Sequence, residues 1–217
     1  MDAITDSRKL ADAREDYTRG GLVEADLLED PYAMFSRWYD DAAAAGIYEP
    51  NSMVVATASA DGAPSARFVL LKGISSDGFV FFTNLDSAKG RDLAENPRCS
   101  LLFPWHPLER QVRVEGAVSL LPRSDVDAYF ASRPRRSRVG AWASRQSRVV
   151  ASRDELDAAA AAIEERFPDE VPVPDFWGGY LVAASKLEFW QGRPGRMHDR
   201  LVYERTGEGW STYRLAP

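Results

Sequence analysis

Cysteine and histidine are nearly absent from this chain of 217 residues. Cys99 is the only cysteine, and His106 and His198 are the only histidines. A single cysteine cannot form an intramolecular disulfide or a cysteine-rich zinc site, and two histidines are too few for a histidine-rich metal centre. The sequence therefore predicts neither a disulfide nor a bound metal, and it favours a reducing, cytoplasmic environment.

Long apolar runs are also missing. Residues 1–16 are charged throughout and lack the apolar segment of a signal peptide, and no stretch approaches the length of a membrane-spanning helix. The formal net charge of −6 works against general nucleic-acid binding, because the protein as a whole repels phosphate groups. We expect neither a membrane nor a nucleic acid as partner.

One basic run departs from this acidic balance. Residues 133–138 read Arg-Pro-Arg-Arg-Ser-Arg. Such a run fits a solvated helix or loop face, a nucleic-acid patch, or a site for a small phosphorylated ligand. The run alone leaves these alternatives open.

The glycine-rich loops that bind phosphate are absent as well. No G-x-G-x-x-G follows a predicted strand, and neither G-x-x-x-x-G-K-[ST] nor G-x-S-x-G occurs. Dinucleotide binding on a Rossmann fold and P-loop phosphate binding are therefore not expected, and side chains must hold any phosphate-bearing cofactor. Lysine is scarce, which draws attention to Lys72 and Lys89 at the ends of predicted elements.

Short β-rich runs separated by turns predict one domain built on an antiparallel barrel. Strands are predicted at 53–59, 66–72, 78–83, 99–105, 110–121, 179–190, 201–205 and 210–215. Helices are predicted from Pro31 to Gly46, capped by Asp30, and over 87–95, 124–132 and 152–167. The fold class is mainly β with flanking helices (α+β). The helical stripe of Met34, Phe35, Trp38 and Tyr39 is expected in the core.

Polar residues that suit a phosphate cluster between 67 and 89. Arg67 opens a strand that leads to Lys72, Thr83-Asn84 ends the next strand, and Ser87 with Lys89 begins a helix whose N-terminus favours an anion. Strict alternation would place Arg67 and Lys72 on opposite faces, so either a bulge intervenes or they serve different groups. Surface charge explains each residue singly, but their co-occurrence favours a phosphate site.

A second group lies near the C-terminus. Phe189-Trp190-Gln191-Gly192 is followed by Arg193 and by the run from Arg196 to Arg200, which contains His198. Arginine recognises phosphate or carboxylate and stacks on planar rings, and a histidine beside positive charge favours its neutral form. An exposed basic hairpin is the alternative explanation.

Seven segments in chain order resemble the pyridoxine/pyridoxamine 5′-phosphate oxidase family, and the likeness runs from 14–17 to 214–217. They are 67–72, 101–106, 108–112, 132–134, 140–142, 176–179 and 189–200.

The resemblance implies an FMN-dependent split β-barrel that works as a homodimer with its active sites at the subunit interface. It implies a single flavin oxidase domain over residues 1–217, with residues 1–20 as a mobile N-terminal cover. Residues 175–217 would form a C-terminal dimerisation and active-site region.

The resemblance also implies roles for individual residues. The flavin would contact Arg67, Phe68, Val69, Leu70, Leu71, Lys72, Phe82, Thr83, Lys89, Gln111, Gln146, Ser147, Trp190 and Arg200, some of them from the partner subunit. The substrate would contact Arg14, Tyr17, Lys72, Tyr129, Arg133, Ser137, Arg196 and His198. Of these, Arg196 and His198 would be catalytic and lie against the pyridine ring.

One position departs from the family pattern. The helix that follows the phosphate group usually begins Ser-Arg-Lys, whereas this chain has Ser87-Ala88-Lys89. The change removes one expected contact to the flavin phosphate, and Arg91 is the nearest residue that could replace it. Phe82 also stands where tyrosine is frequent.

The expected activity is oxidation of pyridoxine or pyridoxamine 5′-phosphate to pyridoxal 5′-phosphate in vitamin B6 cofactor synthesis and salvage. Oxygen would be the acceptor, giving hydrogen peroxide, with ammonia from the amine. Two alternatives stay open: a related flavin oxidase acting on another aromatic metabolite, such as those of phenazine synthesis, and a split-barrel protein that binds flavin or haem without turnover.

Overall fold

A computed structural model describes residues 16–217. Nine antiparallel strands form one sheet. They are β1 (Ser52–Ala58), β2 (Pro64–Leu70), β3 (Gly73–Ser75), β4 (Gly78–Asn84), β5 (Arg98–Trp105), β6 (Arg110–Leu120), β7 (Trp177–Gln191), β8 (Asp199–Thr206) and β9 (Gly209–Arg214).

Five α-helices flank the sheet in the described part of the chain. They are α1 (Pro31–Ala44), α2 (Ala88–Glu95), α3 (Arg123–Ser132), α4 (Arg135–Ala143) and α5 (Arg153–Arg166). The predicted cap Asp30 accepts two backbone N–H groups, and Ser87 and Ser152, at the predicted starts of their helices, each accept one. Helix α3 begins at Arg123, one residue before the predicted start at Ser124, and its N-cap is Pro122 and not Ser124.

The sheet curls into a half-barrel because its two edges are consecutive in sequence. The strand order is β2-β1-β5-β6-β7-β4-β3, with β8 and β9 continuing from β7. Leu71 N donates to Asn51 O at 2.9 Å, and Lys72 N donates to Val80 O at 2.8 Å. The chain therefore changes partner strand between these two residues and joins the opposite edges. The predicted antiparallel barrel with flanking helices is confirmed.

Helix α1 fills the core of the half-barrel. Met34, Phe35 and Trp38 are at most 2% exposed, which confirms three of the four predicted core residues, whereas Tyr39 is half-buried and packs against the edge of the core. The Phe35 ring contacts those of Phe79 and Phe103 edge-on, with centroids 5.0 and 4.7 Å apart. This packing fixes the barrel wall that carries the polar residues.

Strand β7, with 15 residues, is the longest of the nine strands. It pairs with β4 through Trp177–Val182, and with β6 and β8 toward Gln191. The register shifts beside Gly116, where a Cβ atom would meet Ala183 O at 2.3 Å, so glycine is required there. Because β4 pairs with the beginning of β7 and β8 with its end, the two ends of β7 lie beside two separate groups of polar residues. No helix in residues 16–217 is long and apolar enough to cross a membrane.

Candidate functional site

A cavity of about 580 Å³ opens between the β2–β4 side of the sheet and helices α3 and α4. It gathers most of the residues predicted for one end of a flavin and for a substrate phosphate. Its lining comprises Phe68, Val69, Leu70, Lys72, Phe82, Thr83, Asn84, Lys89, Tyr129, Arg133, Pro134, Ser137, Gly140, Ala141, Ser144, Gln146 and Trp177.

A larger cavity of about 920 Å³ adjoins it between α4 and α5. The two share Asn84, Ser144 and Gln146. The smaller one is the better candidate, because Lys72, Lys89 and Arg133 line it and none of them lines the larger one.

Lys89 lies at the start of α2 and is 7% exposed. Its Nζ donates to Gln146 Oε1 at 2.7 Å, Thr83 Oγ1 at 3.0 Å and Ser87 Oγ at 3.4 Å. Burial, followed by the nearby charge of Arg67, lowers the pKa of Lys89 to about 8. A buried ammonium held only by neutral oxygens suits an anionic ligand.

Arg67 lies on β2 near Lys89, but it is not among the residues that line the cavity. Its Nη1 donates to Thr57 Oγ1 at 2.7 Å and to Val55 O at 3.2 Å, and its Nη2 donates to Ser65 Oγ. The Asp92 carboxylate is 3.9 Å from Nη2. Partial burial lowers the pKa of this guanidinium, and the two neighbouring cations Arg67 and Lys89 together favour a nearby anion.

Arg133 supplies a second anion-binding position in the same cavity. Its guanidinium carbon lies 4.7 Å from the centre of the Trp177 ring. Its Nη1 is buried and has no hydrogen-bond partner among the described residues. A buried donor without an acceptor is costly, so a phosphate oxygen is a fitting partner. Tyr129 and Ser137 line the cavity beside it.

Three aromatic rings, from two strands and from α3, form one wall of the cavity. The Phe82 and Tyr129 rings stack with centroids 3.9 Å apart and planes 13° apart, and Trp177 lies parallel to Phe82 at 5.4 Å. A Cβ at Gly179 would meet the Phe82 ring at 2.8 Å, so glycine permits this packing. Trp177 lies in segment 176–179, one of the seven that resemble the family, but sequence analysis assigned it no contact with a ligand.

The other end of β7 carries a second cluster of rings. Trp190 and His198 have centroids 4.7 Å apart, and the Tyr17 ring lies 5.8 Å from Trp190 and 5.5 Å from His198. His198 Nδ1 accepts from Arg193 N at 3.1 Å, which assigns the proton of the neutral ring to Nε2. Arg196 is exposed and has a left-handed backbone with φ 62°.

Glu188 holds Arg200 near these rings. Glu188 is 2% exposed, and its carboxylate accepts from Arg200 Nε at 2.8 Å and Nη2 at 3.0 Å. Arg113 Nη2 donates to the same carboxylate at 2.8 Å. Gln111 pairs with Trp190 across the strands. The predicted residues Gln111, Trp190 and Arg200 therefore share one region, and sequence analysis missed Glu188.

The segment that carries Tyr17 is fixed by Glu109. The Glu109 carboxylate accepts from Thr18 N at 3.2 Å and Arg19 N at 2.9 Å. Tyr17 is thereby held against the ring cluster. The predicted contact Arg14 lies outside the described residues.

The cavity and the ring cluster are separate within one chain. About 36 Å of strand lie between Gly179 and Trp190 at ~3.3 Å per residue. In residues 16–217 no hydrogen bond, ion pair or aromatic contact joins the two groups. Gln146 and Ser147 belong to the cavity group, since Gln146 contacts Lys89 and Ser147 Oγ accepts from Ala88 N at 3.2 Å.

Family models cover most of the chain. The model for pyridoxamine 5′-phosphate oxidase matches residues 39–167, and the model for the pyridoxine 5′-phosphate oxidase C-terminal dimerisation region matches residues 177–217. A pyridoxine/pyridoxamine 5′-phosphate oxidase of Nocardioides sp. is 63% identical, covering 96% of this chain and 98% of that protein. One from Burkholderia multivorans is 56% identical, covering 96% of this chain and 99% of that protein.

Solved structures share the fold. PhzG from Burkholderia lata 383, in complex with tetrahydrophenazine-1-carboxylic acid, matches with a TM-score of 0.85 at 32% identity, covering 90% of this chain and 98% of that one. A pyridoxamine 5′-phosphate oxidase-related, FMN binding protein from Nostoc punctiforme matches with a TM-score of 0.70 at 16% identity. The match covers 88% of this chain and 100% of that one. The second match concerns the split-barrel fold alone.

Proposed function

Because this chain belongs to the pyridoxamine 5′-phosphate oxidase family, we propose that it oxidises pyridoxine or pyridoxamine 5′-phosphate to pyridoxal 5′-phosphate. FMN is the proposed cofactor and oxygen the acceptor, giving hydrogen peroxide, with ammonia released from the amine. The reaction belongs to vitamin B6 cofactor synthesis and salvage. The observation that carries the proposal is the presence of two cationic positions in one cavity, at Lys89, with Arg67 close behind it, and at Arg133.

The first position is assigned to the flavin phosphate. Lys89 is buried in the cavity wall with the charge of Arg67 nearby, and Thr83 and Gln146 add polar groups beside Lys89. Phe68, Val69 and Leu70 supply the apolar edge that a flavin ring system needs. Bound FMN supplies a two-electron acceptor for hydride.

The second position is assigned to the substrate phosphate. Arg133 offers its unpartnered Nη1, and Lys72, Tyr129 and Ser137 line the same cavity. Arg196 and His198 are proposed to orient the pyridine ring and to stabilise charge as hydride leaves the 4′ carbon. Tyr17 and Arg14 are proposed to cover the substrate.

A homodimer completes the proposed site. The flavin residues Gln111, Trp190 and Arg200 lie at the far end of β7 from Lys89 in the same chain. A second copy can bring its ring cluster to the cavity of the first. The match of residues 177–217 to a dimerisation region supports this arrangement.

The test is a steady-state assay of flavin-loaded protein with phosphorylated and dephosphorylated substrates. Pyridoxamine 5′-phosphate should be oxidised, and Arg133→Met should raise its KM about ten- to a hundredfold through loss of a charged hydrogen bond. Pyridoxamine itself should be a poor substrate and insensitive to Arg133→Met. Absence of pyridoxal 5′-phosphate from every reaction would contradict the proposal.

A second candidate is oxidation of a reduced phenazine carboxylate. The match to PhzG, at a TM-score of 0.85, favours it. Such a substrate has a carboxylate but no phosphate, so its turnover should depend less on Arg133. Assay of tetrahydrophenazine-1-carboxylic acid beside pyridoxamine 5′-phosphate distinguishes the two activities.

A further inference from the structure

Thr57 and Asp92 lie behind Arg67, outside the set of residues assigned to ligands. Thr57 is on β1 and 3% exposed, whereas Asp92 is on α2 with its side chain 16% exposed. Thr57 Oγ1 donates to Asp92 Oδ2 at 2.6 Å and accepts from Arg67 Nη1 at 2.7 Å. The hydroxyl thus uses its single proton toward the carboxylate and its lone pair toward the guanidinium.

Helix α2 carries both Asp92, which belongs to this group of contacts, and Lys89, which lines the cavity. Asp92 follows Lys89 by three residues on α2, so both side chains leave the same side of that helix. Lys89 reaches Thr83 and Gln146, while Asp92 reaches back to β1 through Thr57. Asn96 Nδ2 also donates to Ala58 O at 3.3 Å, which holds the end of α2 against the same strand.

We propose that Thr57 and Asp92 are positioning residues that fix the Arg67 guanidinium for the phosphate of the flavin. The inference rests on the proposed function, because it takes the cavity to bind FMN. Arg67 has a flexible side chain whose ordering has an entropic cost, and a fixed hydroxyl acceptor with a carboxylate behind it supplies that order in advance. The carboxylate also offsets repulsion between Arg67 and Lys89.

Electrostatics and positioning give opposite expectations for loss of Asp92. Asp92→Asn removes a negative charge from beside Arg67, so attraction for a phosphate dianion alone would tighten FMN binding. If Asp92 acts by positioning Arg67, FMN binding should weaken although the cavity becomes more positive. The sign of the change therefore separates the two explanations.

The experiment titrates apoprotein with FMN and with riboflavin, following quenching of flavin fluorescence. Thr57→Val should weaken FMN binding about tenfold, the effect of one hydrogen bond, and leave riboflavin binding unchanged because riboflavin has no phosphate. Thr57→Ser keeps the hydroxyl and should bind FMN as tightly as wild type. Asp92→Asn should weaken FMN binding, whereas the control Asp86→Asn, an exposed carboxylate at the start of the same helix, should not.

The outcomes are distinguishable. FMN binding equal to or tighter than wild type in Thr57→Val and Asp92→Asn would overturn the inference, as would equal weakening for FMN and riboflavin. If Thr57→Val fails to fold, Asp92→Asn and Thr57→Ser carry the test. Wild-type protein that binds no FMN would contradict the proposed function itself.

Discussion

Lys89 is the residue whose ionisation most directly controls anion binding in the cavity. Its pKa of about 8 is lowered chiefly by burial, so the ammonium begins to lose its proton just above neutral pH. A phosphate dianion favours the ammonium and raises that pKa, so binding above pH 8 requires proton uptake. Affinity for FMN should consequently fall as pH rises through about 8, approaching tenfold per pH unit.

The measurement is the Kd for FMN from about one pH unit below to about one pH unit above the Lys89 pKa of about 8. Lys89→Arg keeps its charge across this range and should lose the fall in affinity. The same decline in Lys89→Arg as in wild type would assign the titration to another group.

Arg196 and His198 should affect the reaction more than flavin retention. Both lie in the short segment after Trp190, and His198 has its Nδ1 fixed by Arg193 N. Arg196→Met and His198→Asn should slow anaerobic flavin reduction at saturating pyridoxamine 5′-phosphate, each by about tenfold or more, as expected for loss of an orienting contact. FMN content and Tm should stay near wild type. If the side chains of Arg196 and His198 only stabilise the hairpin, Tm and FMN content should fall together instead.

At the scale of elements, the start of α2 carries the main departure from the family pattern. Ser87 caps the helix, but Ala88 provides only its backbone N–H, which donates to Ser147 Oγ. Arg91 does not line the cavity, and its guanidinium donates to Asp86 O. The possible replacement of the missing arginine by Arg91 is therefore not supported.

Ala88→Arg should tighten FMN binding about ten- to a hundredfold, because a charge-assisted hydrogen bond adds about 1.5–3 kcal/mol. Titration of apoprotein with FMN measures the change, and Ala88→Gln controls for side-chain length without charge. An unchanged Kd in Ala88→Arg would mean that the phosphate does not lie at this helix start.

Strand patterns predicted most elements within a few residues, but local sequence could not reveal all of them. Helix α4 was missed because its basic residues show no apolar period, and Val139 is its only buried residue. Strand β3 was not predicted either, because its three residues are too few to show a strand pattern. The cations of the cavity were predictable from residue type, whereas Thr57, Asp92, Glu188 and Trp177 gain their importance from contacts distant in sequence.

At the scale of the whole molecule, the separation of cavity and ring cluster predicts a functional dimer. Sedimentation of the FMN-loaded protein should give twice the chain mass of 24.1 kDa. Arg200→Ala, at the far end of β7 from Lys89, should lower FMN affinity in the dimer, and Arg205→Ala on the same strand serves as control. A monomer that retains FMN stoichiometrically would contradict the shared site.

The most direct test of the account is an anaerobic single turnover of the FMN-loaded protein with pyridoxamine 5′-phosphate. The account predicts loss of the oxidised flavin absorbance, one pyridoxal 5′-phosphate formed per flavin, and return of the absorbance with hydrogen peroxide when oxygen is admitted. Flavin that stays oxidised with both pyridoxamine and pyridoxine 5′-phosphate, but is reduced by tetrahydrophenazine-1-carboxylic acid, would contradict it.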